Sequence, residues 1–219
     1  MELVQIAHIE NDFDEKFGIP RQSGMTDNTS RIVFEPEYRV DEALRGIEEY
    51  SHLWLIWRFD GFEGWSPTVR PPRLGGNKRM GVFATRSPNR PNSIGLSSVR
   101  LKGIEDTDRG KVLIVSGADL RDGTVIFDIK PYLKYTDCHA DAADGFADTV
   151  AHKLDVVLPE AVPFDEEQTR VLREIVSQDP RPQYRDDDRT YTFTYASCQV
   201  SFHVEDGIAY VTDITSSDK

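Results

Sequence analysis

The stretch from Ser66 to Leu101, SPTVRPPRLGGNKRMGVFATRSPNRPNSIGLSSVRL, concentrates residue types that handle anionic oxygens. Guanidinium forks and backbone N–H groups both meet carboxylates and phosphates with directional hydrogen bonds. Two stiff loops would present them. The first, Arg70 to Arg79, has Pro71-Pro72 for rigidity and Gly75-Gly76 for close approach to the backbone. The second, Arg86 to Gly95, sets Arg86 and Arg90 around Pro88 and runs on through Pro91 and Asn92. Such a density of Arg, Gly and Pro is costly inside strands, and conspicuous loops tend to carry function. The same residues also read as solvated basic loops held by surface ion pairs.

Charge distribution sharpens the point. The formal net charge is −12, which taken alone argues against nucleic acid. Yet residues 66–103 hold eight basic side chains (Arg70, Arg73, Lys78, Arg79, Arg86, Arg90, Arg100, Lys102) and no Asp or Glu. That leaves 18 basic and 38 acidic residues for the rest of the chain. A basic segment in an acidic remainder marks one face for a polyanion. Other constellations are weaker. Asp137, Cys138, His139, Asp141 and Asp144 match no familiar zinc spacing, so no metal is expected. Trp54 and Trp57 read as core, and His8, His52, His152 and His203 as scattered structural histidines.

The elements that must position these loops are mostly strands. Strands are predicted over residues 3–10, 52–59, 80–85, 96–104, 111–117 and 124–130, the last opened by a turn at Asp122-Gly123. Residues 12–30 and 60–80 read as loops, and Asp41–Tyr50 as a short helix with Asp41 as its cap. Strand dominance favours a barrel over an alternating βαβ sheet. No G-x-G-x-x-G or Walker A sequence occurs, which disfavours Rossmann and P-loop enzymes. After a change of character at 136–159, Phe164–Gln178 reads as an amphipathic helix with a capping box from Asp165 and Gln168. Strands follow at 190–195, 199–205 and 208–214. The expected organisation is therefore a β-barrel domain over 1–138, a linker over 139–160 and a small α+β domain over 161–219. With 38% hydrophobic residues the chain can build such cores, and no apolar run is long enough to span a membrane. Two cysteines without a C-x-x-C pair make a reducing cytoplasm the default.

The segment RPPRLGGNKRMGVFATRSPNRPNSIGLSSVRL strongly resembles the TsaA-like (TrmO) family. The likeness continues through Pro20-Arg21-Gln22, SHLWLIWRF (51–59), DLRDGTVIFDIKPYL (119–133) and QDPRPQYR (178–185), so it covers essentially the whole chain. The resemblance implies a single-sheeted β-barrel that binds S-adenosylmethionine, a homodimer, and methylation of threonylcarbamoyl-adenosine beside the tRNA anticodon. It places the cofactor contacts at Pro20, Arg21, Gln22, Asp60, Gly61, Arg86, Leu96, Asp119, Leu120, Asp122, Gly123 and Thr124. Many relatives carry His-Gln at Asp60-Gly61 and a proline at Ser93.

The chemistry asked of such a site is alignment of an in-line attack, since a sulfonium methyl is already electrophilic. The target nitrogen lies between a purine and a carbonyl, so a modest base, or water, can remove its proton. Asp128 and Tyr132 are the candidates, with Asp122 next; Asp128 also reads as an ion-pair partner of Lys130, and Tyr132 as a barrel cap. Phosphate contacts to the anticodon stem-loop are expected from Arg70, Arg73, Lys78, Arg79 and Arg90. The competing reading is a non-enzymatic RNA- or nucleotide-binding β-barrel, and a weaker one keeps the cofactor with a small-molecule or protein acceptor.

Overall fold

A computed structural model describes residues 2–62, 64–71, 74, 78–147, 153–181 and 189–216. Its strands are β1 (Ala7–Glu10), β2 (Thr29–Phe34), β3 (His52–Arg58), β4 (Thr68–Val69), β5 (Met80–Gly81), β6 (Ile94–Thr107), β7 (Gly110–Ser116) and β8 (Val125–Pro131). They are followed by β9 (Asp155–Val157), β10 (Tyr191–Tyr195), β11 (Cys198–Glu205) and β12 (Ile208–Ser216). The helices are a single turn, α1 (Lys134–Asp137), and α2 (Glu166–Ser177).

Six strands form one antiparallel sheet in the order β1-β2-β7-β6-β3-β8. β8 then returns to β1, pairing Ala7 with Ile126 and His8 with Val125, so the sheet closes on itself and leaves no edge strand. Period-two alternation fills the interior. On β3, Leu53, Leu55 and Trp57 point inward, while His52 and Arg58 face solvent. They meet Ala7, Ile9, Ile32, Val99, Leu113, Val115 and Ile126 in one core.

Several local expectations change. β2 begins inside the segment read as loop, and Asn28 at its start is buried, hydrogen-bonded to Ser30 and Thr26. Asp41–Tyr50 is not an α-helix. Gly46, at φ 85°, breaks it into the 3-10 turns Asp41–Leu44 and Ile47–Glu49, capped by no side chain. Leu44 and Ile47 still pack onto the barrel. The strand expected over 80–85 stops at Gly81 and gives way to the 3-10 turn Val82–Ala84.

The second unit is a sheet in the order β10-β11-β12-β9, with α2 across it. β9 lies inside the 139–160 segment expected as linker and pairs parallel to β12, Val156 opposite Ala209. α2 carries the expected capping box from Asp165 and Gln168 and buries Val171, Leu172, Ile175 and Val176.

The loop after β1 joins the two units. Phe13 is buried in the core of the second sheet beside Tyr195, and Phe17 packs edge-on against Phe193. Backbone N–H groups of Thr194, Ala196 and Ser197 donate to the Glu15 side chain, the Asp12 carbonyl and the Asp14 carboxylate. Gly18, at φ 97°, lies so close to Phe193 that a Cβ would come within 2.5 Å of the ring. Only glycine fits there.

Candidate active site

One end of the barrel, where β3 and β7 finish and β6 and β8 begin, opens into a cleft of about 580 Å³. Its apolar wall is Trp57, Phe59 and Phe62 on one side and Ile94, Gly95 and Leu96 on the other. Trp57 and Phe59 have ring centroids 4.1 Å apart, and Lys16 Nζ lies 4.4 Å over Phe62. Leu96 is an apolar side chain left 54% exposed on this wall.

The polar groups converge from three loops. Arg86, from the second basic loop, donates through Nη1 to Gln22 Oε1 at 2.6 Å. Arg21 is anchored from behind, its Nη2 donating to the carbonyls of Asp179 and Arg181 at 3.0 Å each. Arg181 grips the Asp179 carboxylate with Nε and Nη2 at 2.8 and 2.9 Å, fixing those carbonyls. The segment 178–181 of the second unit thus aims a guanidinium at the barrel end.

Asp119 supplies a half-buried carboxylate. Trp57 Nε1 donates to Ser97 Oγ at 2.9 Å, and the Ser97 hydroxyl donates to Asp119 Oδ1 at 2.5 Å. Burial pushes the Asp119 carboxyl above its ordinary value, and the Ser97 hydrogen bond and the charge of Arg86 pull it partly back. Gly95 makes this network possible, since a Cβ there would meet the Trp57 indole at 2.2 Å. The cleft's other carboxylate, Asp60, lies between Arg58 at 3.7 Å and Arg121 at 3.8 Å.

A second cleft of about 670 Å³ adjoins the first and shares Arg21, Gln22, Thr85, Arg86 and Pro88 with it. Its own walls carry Arg70, Arg79, Asn89 and Phe146.

Of the expected cofactor contacts, Pro20, Arg21, Gln22, Asp60, Arg86, Leu96, Asp119 and Thr124 line the first cleft. Gly61 does not, although it sits beside Lys16 at its edge. Leu120, Asp122 and Gly123 do not either. Leu120 is in the barrel core, Asp122 accepts the Asn11 N–H through Oδ1, and the Gly123 N–H binds the Ile9 carbonyl. These three build the turn that presents Asp119.

The expected bases move away. Asp128 stands opposite Ile56 after a bulge in the β3–β8 pairing, accepts the Ile129 N–H and pairs with Lys130 at 2.8 Å. Tyr132 packs on Trp54 and His52 at the start of β3, where burial pushes its phenol up. That is the far end of a seven-residue strand from the cleft, roughly 20 Å away. Neither lines this cleft; local pairing and packing account for both.

Among the basic residues, Arg90 lines the first cleft, donating to the carbonyls of Val82 and Thr85, and Arg70 and Arg79 line the second. Lys78 is exposed and lines neither, and Arg73 lies outside the described residues. The sequence reading missed Trp57, Phe59 and Arg121 as cleft residues; no local signal separates a core aromatic from one whose edge reaches a ligand. Among the described residues no helix is long and apolar enough to cross a membrane, and no three metal-binding side chains gather.

Comparison with known proteins identifies both units of the fold. Residues 8–138 match the model of the tRNA-methyltransferase O N-terminal domain, and residues 152–217 that of the TrmO C-terminal domain. The chain belongs to the tRNA-methyltransferase O family. Within it, the chain is 40% identical over 217 residues to a tRNA (adenine(37)-N6)-methyltransferase of Escherichia coli strain K12, covering 91% of this chain and 90% of that protein. A tRNA (adenine(37)-N6)-methyltransferase of Eikenella corrodens is 44% identical over 168 residues, covering 74% of this chain and 95% of its own length. A crystal structure of TrmO from Pseudomonas aeruginosa superposes with a TM-score of 0.80 at 32% identity, covering 99% of this chain and 97% of the other. The family resemblance of the arginine-rich segment thus extends to the whole fold.

Proposed function

We propose that this protein moves the methyl group of S-adenosylmethionine to the exocyclic nitrogen of adenosine 37 in tRNA, with the threonylcarbamoylated nucleoside as acceptor. The observation that carries the reading is one cleft combining a braced guanidinium, a half-buried carboxylate and an aromatic wall, in a chain of this family. The cofactor supplies an electrophilic sulfonium methyl. Its size suits the cleft, and the residues suit its parts. Arg86, steadied by Gln22, takes the amino-acid carboxylate; Asp119, steadied by Ser97, takes a hydroxyl or ammonium donor. Leu96, Trp57 and Phe59 cover the apolar surface and keep water from the reacting atoms. Arg70, Arg79, Arg90 and Lys78 face the RNA. The acceptor nitrogen is acidified by its neighbouring carbonyl, so solvent at the cleft mouth can take its proton.

The reading divides the labour: the barrel, residues 1–138, carries the chemistry, while the unit over 161–219, with β9 from the connector, holds the Pro20–Gln22 loop in place. We read the protein as a cytoplasmic homodimer. Its two cysteines are free, and Phe83, Trp65 and Leu96 are apolar side chains left 73%, 56% and 54% exposed at the cleft end. A light-scattering mass of 24.9 kDa at micromolar concentration would contradict the dimer.

The test of the function is titration with S-adenosylmethionine together with mass spectrometry of nucleosides from tRNA incubated with enzyme and cofactor. Cofactor binding and a singly methylated threonylcarbamoyl-adenosine are expected. Arg86→Ala should weaken cofactor binding about 10- to 100-fold, the worth of one charge-assisted contact. Binding of RNA without any methylated product would favour the non-enzymatic reading.

A further inference from the structure

Methyl transfer between two bound molecules needs the reacting atoms about 3–3.5 Å apart, so the donor site must open directly onto the acceptor site. The second cleft meets that requirement by position, because Gln22, Thr85 and Arg86 belong to both walls. It differs from the first in chemistry. The first holds Asp60 and Asp119, whereas the described residues lining the second include no Asp or Glu. Four guanidinium groups border it: Arg21, Arg70, Arg79 and Arg86.

The braces on two of these arginines are neutral. Arg79 donates to the Thr68 hydroxyl at 2.8 Å and Arg86 to the Gln22 carboxamide. Among the described residues neither forms a salt bridge. A neutral acceptor orients a guanidinium without cancelling its charge, so its attraction for an outside oxyanion persists. The Ser87 hydroxyl and the Asn89 carboxamide add donors along the same wall.

Phe146 completes the site. It comes from the connector between the two units, is half-buried, and lines this cleft although the sequence around it is Ala- and Asp-rich and without periodicity. An aromatic face beside a cluster of arginines recognises an unstacked base that carries an anion. We propose that the second cleft is the acceptor subsite, in which Phe146 supports a purine and Arg70 and Arg79 hold an oxyanion attached to it. That oxyanion is either a carboxylate on the base's own substituent or the flanking phosphate. The proposal rests on the methyltransferase reading and adds to it where the acceptor lies and which residues select it.

The experiment uses the full-length protein with three small probes: threonylcarbamoyl-adenosine as the free nucleoside, adenosine 5′-monophosphate and adenosine. Each is titrated in the presence of S-adenosylhomocysteine, the spent form of the cofactor. One anionic probe should bind at least tenfold more tightly than adenosine, the nucleoside if the carboxylate is read and the monophosphate if the phosphate is. Arg70→Ala and Arg79→Ala should each erase most of that preference, and Phe146→Ala should weaken all three probes. S-adenosylmethionine affinity should stay within about twofold in each variant. Arg79→Lys guards against a loop disturbed by loss of the Thr68 contact and should keep part of the preference. If neither anionic probe is preferred, or if the preference survives in Arg70→Ala and Arg79→Ala, the assignment is wrong. Failure of the broader reading looks different: wild-type protein that binds no S-adenosylmethionine or yields no methylated tRNA.

Discussion

Asp119 is held where a carboxylate is costly, and the cost has a pH signature. Its folded value is raised above the ordinary one, chiefly through burial. The folded protein therefore binds this proton more readily than the unfolded chain. Stability from this group is fully present below the unfolded pKa and is lost as pH rises through the folded one. Asp119→Asn removes the charge, so its melting temperature should gain on the wild type as pH rises from about 4 to 8. The gain should shrink again toward acid. Cofactor affinity should fall by at least tenfold over the same range. Thermal scans and titrations on the two proteins check both; a constant difference in melting temperature would mean that Asp119 is not the half-buried charge described. The resemblance indicated the 119–124 turn as a block, and the structure splits it. Asp119 and Thr124 line the cleft while Leu120, Asp122 and Gly123 support them. Motif likeness carries no information on which way alternate side chains of a turn point, so this division was not legible beforehand.

At the scale of elements, the interlock of β3 and β6 decides the shape of the cleft. Gly95 pairs with Trp57 across the two strands, and the indole occupies the space of the missing side chain. Gly95→Ala should force Trp57 off its place, break its hydrogen bond to Ser97 and loosen Asp119. A loss of about 1–3 kcal/mol, the usual range for overpacking, is expected in urea unfolding. A shift in tryptophan emission and weaker cofactor binding should accompany it. Unchanged emission would show that the strands absorb the methyl group elsewhere. The strands themselves were largely readable, because β3, β7, β8, β11 and β12 alternate or run apolar without interruption. β2 was not, since buried Asn28 and Ser30 look like loop residues until their hydrogen bonds to each other are seen. Nor was the 3-10 character of Asp41–Glu49. The spacing of Leu44 and Ile47 fits a helix, and the positive φ of Gly46 forbids one. The bulge between Ile56 and Trp57 likewise put Asp128 out of the register that alternation suggests.

At the scale of the molecule, the two units are not beads on a string. Phe13 and Phe17 leave the barrel to pack in the second unit, and Arg21 returns to the cleft with its guanidinium held by the carbonyls of Asp179 and Arg181. Nothing in the local sequence marks those phenylalanines as core of a distant sheet, because their environment comes from residues about 180 positions away. A chain cut after residue 160 should keep the circular-dichroism signature of a barrel yet fail to bind S-adenosylmethionine, as its Pro20–Gln22 loop loses its anchor. Titration of the cut protein checks this; native affinity would show that the barrel shapes the loop unaided. Synthesis on the ribosome gives the same architecture a temporal meaning. Residues 12–22 are made before their docking partners at 191–204, which follow after roughly 10–30 seconds at about 5–20 residues per second. The barrel strands can pair in that interval, but the loop stays undocked until β10 and β11 arrive. A nascent or prematurely terminated chain would thus hold a formed barrel with no competent cleft, and competence would switch on with translation of the second sheet.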